Sequence, residues 1–123
     1  MPNPFQKYLT KEDRLQNAVM YYFKTKYPKA FVIHVPNEGK RSPFERYKFK
    51  YLGGMSGVPD VLCFSKNANK CGLAIELKVG YNKPTENQKS CLKRLEMQNW
   101  AVGWFNDLDK TCNFIDNYFK DEL

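Results

Sequence analysis

Three charged residues interrupt two stretches that are otherwise apolar. Gly57-Val58-Pro59-Asp60-Val61-Leu62-Cys63-Phe64-Ser65 and Gly72-Leu73-Ala74-Ile75-Glu76-Leu77-Lys78-Val79 are joined by a polar break from Lys66 to Lys70. Both runs carry β-branched residues, and the break has turn composition, so together they predict a β-hairpin. Asp60 stands at the mouth of the first strand, and Glu76 and Lys78 lie inside the second. Side chains two apart on a strand share a face, so Glu76 and Lys78 point one way while Ile75, Leu77 and Val79 point the other. A strand this apolar is expected to be packed on both faces, where a charge is costly unless it is paired or holds a metal. Two acids and one lysine that converge are the outline of a metal site. The competing interpretation is a buried ion-pair network, which contributes little stability for what it costs to desolvate.

The elements around the hairpin determine what can reach it. Thr10 is a helix cap, and Leu15, Val19, Tyr22/Phe23 and Tyr27 keep helical spacing up to Pro28. Glu12 and Gln16, four apart, share one flank of that helix. Ala30 to Val35 predicts a short strand closed by Pro36. It carries His34, the sequence's single histidine; a lone strand histidine is more readily a packed or surface residue than a catalyst. Ser42, Pro43 and Glu45 give cap, first-turn proline and capping-box acid for a short helix that Gly53-Gly54 would end. The alternation of Tyr47, Phe49 and Tyr51 with basic residues is the rival strand signal; helix is preferred because both termini are marked. After the hairpin, Thr85 and Gln88 form a capping box, yet Gln88 also starts the inward stripe of Cys91/Leu92 and Leu95. Trp100 to Phe105 is a further strand, and a last helix from about Asp109 turns Phe114, Ile115, Tyr118 and Phe119 inward. A strand–helix–strand step over Gly72–Phe105 requires a crossover and some parallel pairing. The predicted fold is therefore α/β, a mixed central sheet of about four strands flanked by helices.

Size and charge bound the rest. A chain of 123 residues is read as one domain, residues 1–123, with a core over about 10–107 and a C-terminal helix over about 109–121. Twenty Lys/Arg against thirteen Asp/Glu leave a formal charge of +7, which suits a polyanionic partner and equally serves solubility. Lys40, Arg41, Arg46, Lys48 and Lys50 are interleaved with aromatics just before Gly57, and Lys83 follows the hairpin. Such a patch fits phosphate contacts with stacking on bases, or a solvated face whose aromatics cover the core. The four cysteines form no C-x-x-C pair, so neither a zinc site nor a disulfide framework is expected, and a reducing, cytoplasmic location is. No apolar run approaches membrane length, and the start lacks the apolar core of a signal peptide. The final Lys120-Asp121-Glu122-Leu123 matches an endoplasmic-reticulum retention address and is read as coincidence.

Gly57-Val58-Pro59-Asp60 followed by Glu76-Leu77-Lys78 resembles the PD-(D/E)XK nuclease signature. The flanks narrow the resemblance: Glu12-Asp13-Arg14-Leu15-Gln16, Asn37-Glu38-Gly39 and Thr85-x-x-Gln88, in that order, are similar to the virus-type replication-repair nuclease (VRR-NUC) family. The resemblance covers roughly residues 10 to 107. It implies a restriction-endonuclease-like core, acids that hold Mg2+ or Mn2+, a lysine that assists the attacking water, and hydrolysis of phosphodiester bonds. Small stand-alone members are typically phage-encoded; larger relatives carry the domain in repair nucleases acting on branched DNA.

The residue chemistry agrees. A phosphodiester anion attacked by water needs charge neutralised and a nucleophile made at neutral pH, and hard cations bound by carboxylate, carbonyl and water oxygens do both. Asp60 and Glu76 are the expected direct ligands, with the Leu77 carbonyl as a third oxygen. Glu12 would be an outer ligand or hold a metal-bound water, although Asp13 is adjacent. Lys78 would orient the water or offset phosphate charge, and Gln88 would support Lys78 or the water. Asn37 and Glu38 would border the site or simply form a turn. The expected activity is a structure-selective DNA endonuclease acting on branched or double-stranded DNA, since one short basic arm is little surface for reading bases. The alternatives are a catalytically inactive DNA-binding module on a nuclease fold and a restriction- or nicking-type enzyme. Symmetric cutting of a junction would require a homodimer, for which the Phe44–Tyr51 segment and the aromatics of the last helix are candidate contact surfaces.

Overall fold

Three of the helices begin at the caps the sequence marks. Thr10 Oγ accepts from the Asp13 N–H at 3.1 Å, and Asp13 returns a carboxylate to the Thr10 N–H, starting α1, Lys11–Lys26. Ser42 caps α2, Pro43–Tyr51, with Pro43 in its first turn. Thr85 caps α3, Glu86–Met97, and Asp107 caps α4, Leu108–Phe119. The computed structural model describes residues 5–36 and 41–123. Asn37, Glu38 and Lys40 fall outside the described residues, and with them the expectations placed on those three.

The strands are β1 (Val32–His34), β2 (Val61–Cys63), β3 (Gly72–Leu77) and β4 (Trp100–Phe105). They form one mixed sheet in the order β1-β2-β3-β4. β2 and β3 are the expected hairpin, antiparallel with Val61 opposite Ile75, and β1 adds antiparallel to β2. β3 and β4 are parallel through α3, with Glu76 opposite Trp104. The regular strands are shorter than the apolar runs that announce them, because Asp60 and Phe64 fall outside the β2 ladder.

Period-2 alternation along β3 decides what each face holds. Leu73, Ile75 and Leu77 enter a core with Val19 and Phe23 of α1 and Ile115 and Tyr118 of α4. On the other face Glu76 is met by Gln88 of α3. All six β3 residues are buried, Glu76 among them. α1 and α4 are clamped by Asp116, which accepts from the hydroxyls of Tyr22 (2.8 Å) and Tyr27 (2.6 Å) and pairs with Lys26 at 3.0 Å. The Tyr118 hydroxyl donates to the Ser65 carbonyl at 2.6 Å, and Asn67 and Asn69 of the hairpin turn donate to carbonyls at the end of the chain. The aromatics of α4 are therefore core residues: Tyr118 is fully buried, and Phe114 and Phe119 pack against the same cluster. That corrects the idea of α4 as an exposed contact surface. α2 is the opposite case, with no buried residue and with Phe44, Tyr47 and Tyr51 exposed.

Candidate metal centre

The segment Gly57–Asp60 sets the site's position. Gly57 has φ +81°, and a Cβ there would lie 2.7 Å from the backbone of Asn87, so the chain presses directly on the start of α3. Only glycine combines that dihedral with that approach. Pro59 is fully buried behind it. The Asp60 carbonyl accepts from the Val35 N–H at 2.8 Å and from His34 Nδ1 at 2.9 Å, which tethers the residue to the end of β1. Because a carbonyl only accepts, that contact places the hydrogen of His34 on Nδ1. The Asp60 side chain then turns to β3, where Oδ2 accepts from the Leu77 N–H at 2.8 Å. In an extended strand the N–H and C=O of one residue leave the same edge, so the Leu77 carbonyl lies on the Asp60 side of β3.

Glu76 is the centre of the cluster. One ligand oxygen each from Glu12, Asp60 and Glu76 lie within 4.8 Å of one another. They line a pocket of about 330 Å³ with Asp13, Gln16, His34, Lys78 and Gln88. Asp13 is committed to the α1 capping box, so Glu12 is the acid of that turn that joins the other two. Glu76 Oε1 is approached by Gln88 Nε2 at 3.4 Å and by Lys78 Nζ at 4.0 Å. Glu76 Oε2 is buried with no hydrogen-bond partner. Gln88 was expected to serve either the helix cap or the site, and its geometry serves both. Its Oε1 accepts from the Thr85 N–H at 2.8 Å while Nε2 points at Glu76.

The electrostatics describe a site short of positive charge. Burial, then the neighbouring Asp60 carboxyl and more weakly Glu12, pushes the Glu76 carboxyl up to about 9, against the pull of Lys78. Burial also raises Glu12, helped by Asp60. Clustered carboxyl groups, two of them buried, cannot all ionise without a compensating cation. The nearest lysine stands at 4.0 Å from Glu76, beyond hydrogen-bond length. An all-oxygen donor set of clustered carboxyl groups is what suits a hard divalent ion. The residues present fit such an ion.

The basic patch lies on different ground. Arg41 stacks its guanidinium 4.0 Å over the Phe49 ring and lines a second pocket, about 470 Å³, with Ser56, Thr85, Asn87 and Gln88. Gln88 lines both pockets, so the two adjoin. Arg46, Lys48 and Lys50 are exposed on α2, and Lys83 is exposed before Thr85. Two site residues had no role from sequence: His34, which holds the Asp60 backbone, and Gln16, one turn after Glu12. The spacing of Glu12 and Gln16 was a usable signal for the second.

The VRR-NUC domain family matches residues 5–106. The chain belongs to the VRR-NUC family. It is a nuclease domain family, so the resemblance seen in the sequence holds. A solved structure described as "VRR_NUC domain protein" is 26% identical, with a TM-score of 0.77 over 91% of this chain and 90% of that one. A second, described as "VRR_NUC domain", is 21% identical with a TM-score of 0.61 over 89% of this chain and 99% of that one, which supports the fold alone. No curated protein matches the sequence. The VRR-NUC fold seen here is the expected α/β mixed sheet of four strands with helices packed around it.

Proposed function

We propose that this VRR-NUC protein is a divalent-metal-dependent endonuclease that hydrolyses DNA phosphodiester bonds and selects its substrate by DNA structure. The observation that carries the proposal is the convergence of Glu12, Asp60 and Glu76 in one pocket beside Lys78. Asp60 and Glu76 would hold the ion, with the Leu77 carbonyl on the same edge, and Glu12 would reach it directly or through water. Magnesium or manganese bound there neutralises phosphate charge and acidifies a water. Lys78 offsets charge at the scissile phosphate and orients the attacking water. Gln88 fixes Glu76 while anchoring α3. His34 and the Leu77 N–H hold Asp60 in place from opposite sides.

Several features favour DNA handled by shape. The pocket that adjoins the metal centre presents Arg41 stacked on Phe49, a surface suited to phosphate and to a base face. The exposed cations of α2 continue it and suit backbone contacts, which carry register and not sequence. Two cuts across a branched substrate need two active sites, and the exposed Phe44, Tyr47 and Tyr51 of α2 are where we place contact between two copies.

The test is a panel of supercoiled, linear, flapped and four-way-junction DNA with magnesium, manganese or chelator. We expect metal-dependent cutting, greatest on branched DNA, that Glu76→Ala abolishes without loss of folding or DNA binding. Absence of cutting of every substrate with either metal would sink the proposal, and equal cutting of all forms would remove its structure selectivity.

A further inference from the structure

Among the described residues, the buried side-chain polar atoms without a hydrogen-bond partner are Glu76 Oε2 and both Nε2 and Oε1 of Gln16. All three belong to residues that line the pocket of the acidic cluster. A buried donor or acceptor left unpaired is expensive, and native structures hold few of them. The proposed metal accounts for Glu76 Oε2. It leaves Gln16 unexplained.

The position of Gln16 on α1 sharpens the question. Glu12 lies one turn before it, and the buried Val19 and Phe23 continue the inward stripe behind it. An apolar residue at 16 would extend that stripe at no polar cost, yet the position carries a carboxamide with both functional atoms buried and unpaired. The chemistry of the amide limits what can satisfy it. A bare cation serves only Oε1, and a phosphate oxygen serves only Nε2. Water serves both: one on the ion donates to the carbonyl, and a second accepts from the N–H. Magnesium keeps several of its waters when protein-bound.

We propose that Gln16 is a positioning residue of the metal centre, its carboxamide holding a water of the ion's hydration shell from the α1 side as Gln88 supports Glu76 from α3. This inference rests on the metal-site reading above and adds a residue and a ligand, water, to it. It explains why Glu12 and Gln16 share a flank. The first brings charge to the ion, and the second brings a neutral partner for its hydration.

The experiment compares wild type, Gln16→Leu, Gln16→Met and Gln16→Glu by thermal melting in chelator and along magnesium and manganese titrations, with junction cleavage measured in parallel. In chelator, Gln16→Leu should melt above wild type, because the unpaired amide is gone. It should need about 10- to 100-fold more metal for half its thermal shift and for half-maximal cutting. Gln16→Met should behave alike, which guards against a shape effect of leucine. Gln16→Glu keeps an acceptor oxygen and should return the metal midpoint toward wild type. Wild-type metal midpoints in Gln16→Leu and Gln16→Met, or lower melting of both in chelator, would overturn the inference. Glu76→Gln separates the two levels. If it loses the metal shift while Gln16→Leu keeps the wild-type midpoint, only this inference fails. If wild type itself shows no metal shift, the metal centre fails and takes this inference with it.

Discussion

Replacing Glu76 with glutamine should stabilise the metal-free protein, and by an amount that grows with pH. Glu76 is 1% exposed and its carboxyl is pushed up to about 9, from an ordinary value of 4.5. Above pH 4.5 the unfolded chain releases this proton while the folded chain keeps it, so the native state binds more protons and loses stability as pH rises. The stability this group contributes is complete below 4.5 and lost progressively up to about 9. Between 4.5 and pH 7 the loss is about 3 kcal/mol, at about 1.4 kcal/mol per pH unit. Glutamine cannot ionise, and its carbonyl keeps an acceptor for Gln88. Urea unfolding in chelator at pH 5.5, 7 and 8.5 should show Glu76→Gln ahead of wild type at pH 7 by about 3 kcal/mol, roughly 10 °C in melting temperature. The lead should widen at 8.5 and shrink to about 1.4 kcal/mol at 5.5. Metal at about a thousandfold excess over Kd should reverse the order at pH 7, since wild type then gains about 4.1 kcal/mol and the variant gains little. A Glu76→Gln protein less stable than wild type in chelator at pH 8.5 would refute the reasoning. It would mean that Glu76 is ionised and adequately paired without metal, as in a purely structural ion-pair network.

Three further outcomes follow from the same geometry. Lys78→Ala should lower cleavage by at least about 100-fold while leaving the metal-induced thermal shift intact; loss of both in a folded variant would make Lys78 structural. Gly57→Ala forces a Cβ to 2.7 Å from the Asn87 backbone at φ +81°, and urea unfolding should show a cost of about 1–3 kcal/mol; a neutral effect would contradict the close approach to α3. Neutralising Arg41, Lys48 or Lys50 singly should weaken binding of all DNA forms alike and lower the salt slope of binding by about 1 each; an unchanged slope would take the strand path off α2.

Much of this was legible because local chemistry and global fold agree. Thr10, Ser42 and Thr85 each cap the helix they announce, and the strand–helix–strand step produces the parallel β3–β4 pair. Two marked termini correctly outweighed the Tyr47–Phe49–Tyr51 alternation, since α2 is a helix. The 3-10 turn Gln6–Tyr8 has no comparable sequence signal. Convergence of Glu12 on Asp60 and Glu76 depends on how α1 crosses the sheet, which no spacing within α1 encodes. Asp13 was separable from Glu12 only once it was seen closing the capping box. Gln16 and His34 escaped for a related reason. Their polar atoms matter through what lies across the pocket, and helix or strand periodicity records only which flank they occupy. The inward stripe of α4 is legible from its spacing and holds, which leaves no aromatic of α4 for a contact surface; that Phe119 packs on Phe23 and Tyr27 of α1 is not encoded within α4.

The central claim is that Asp60 and Glu76 hold a metal beside Glu12, and anomalous scattering from crystals grown with manganese tests it directly. The expected result is a peak bounded by the Asp60 and Glu76 carboxylates and the Leu77 carbonyl, at about 2.0–2.2 Å from each oxygen, and absent in Glu76→Gln crystals. Crystals of the wild-type protein at saturating manganese with no peak in this pocket, or with the peak elsewhere on the molecule, would contradict it.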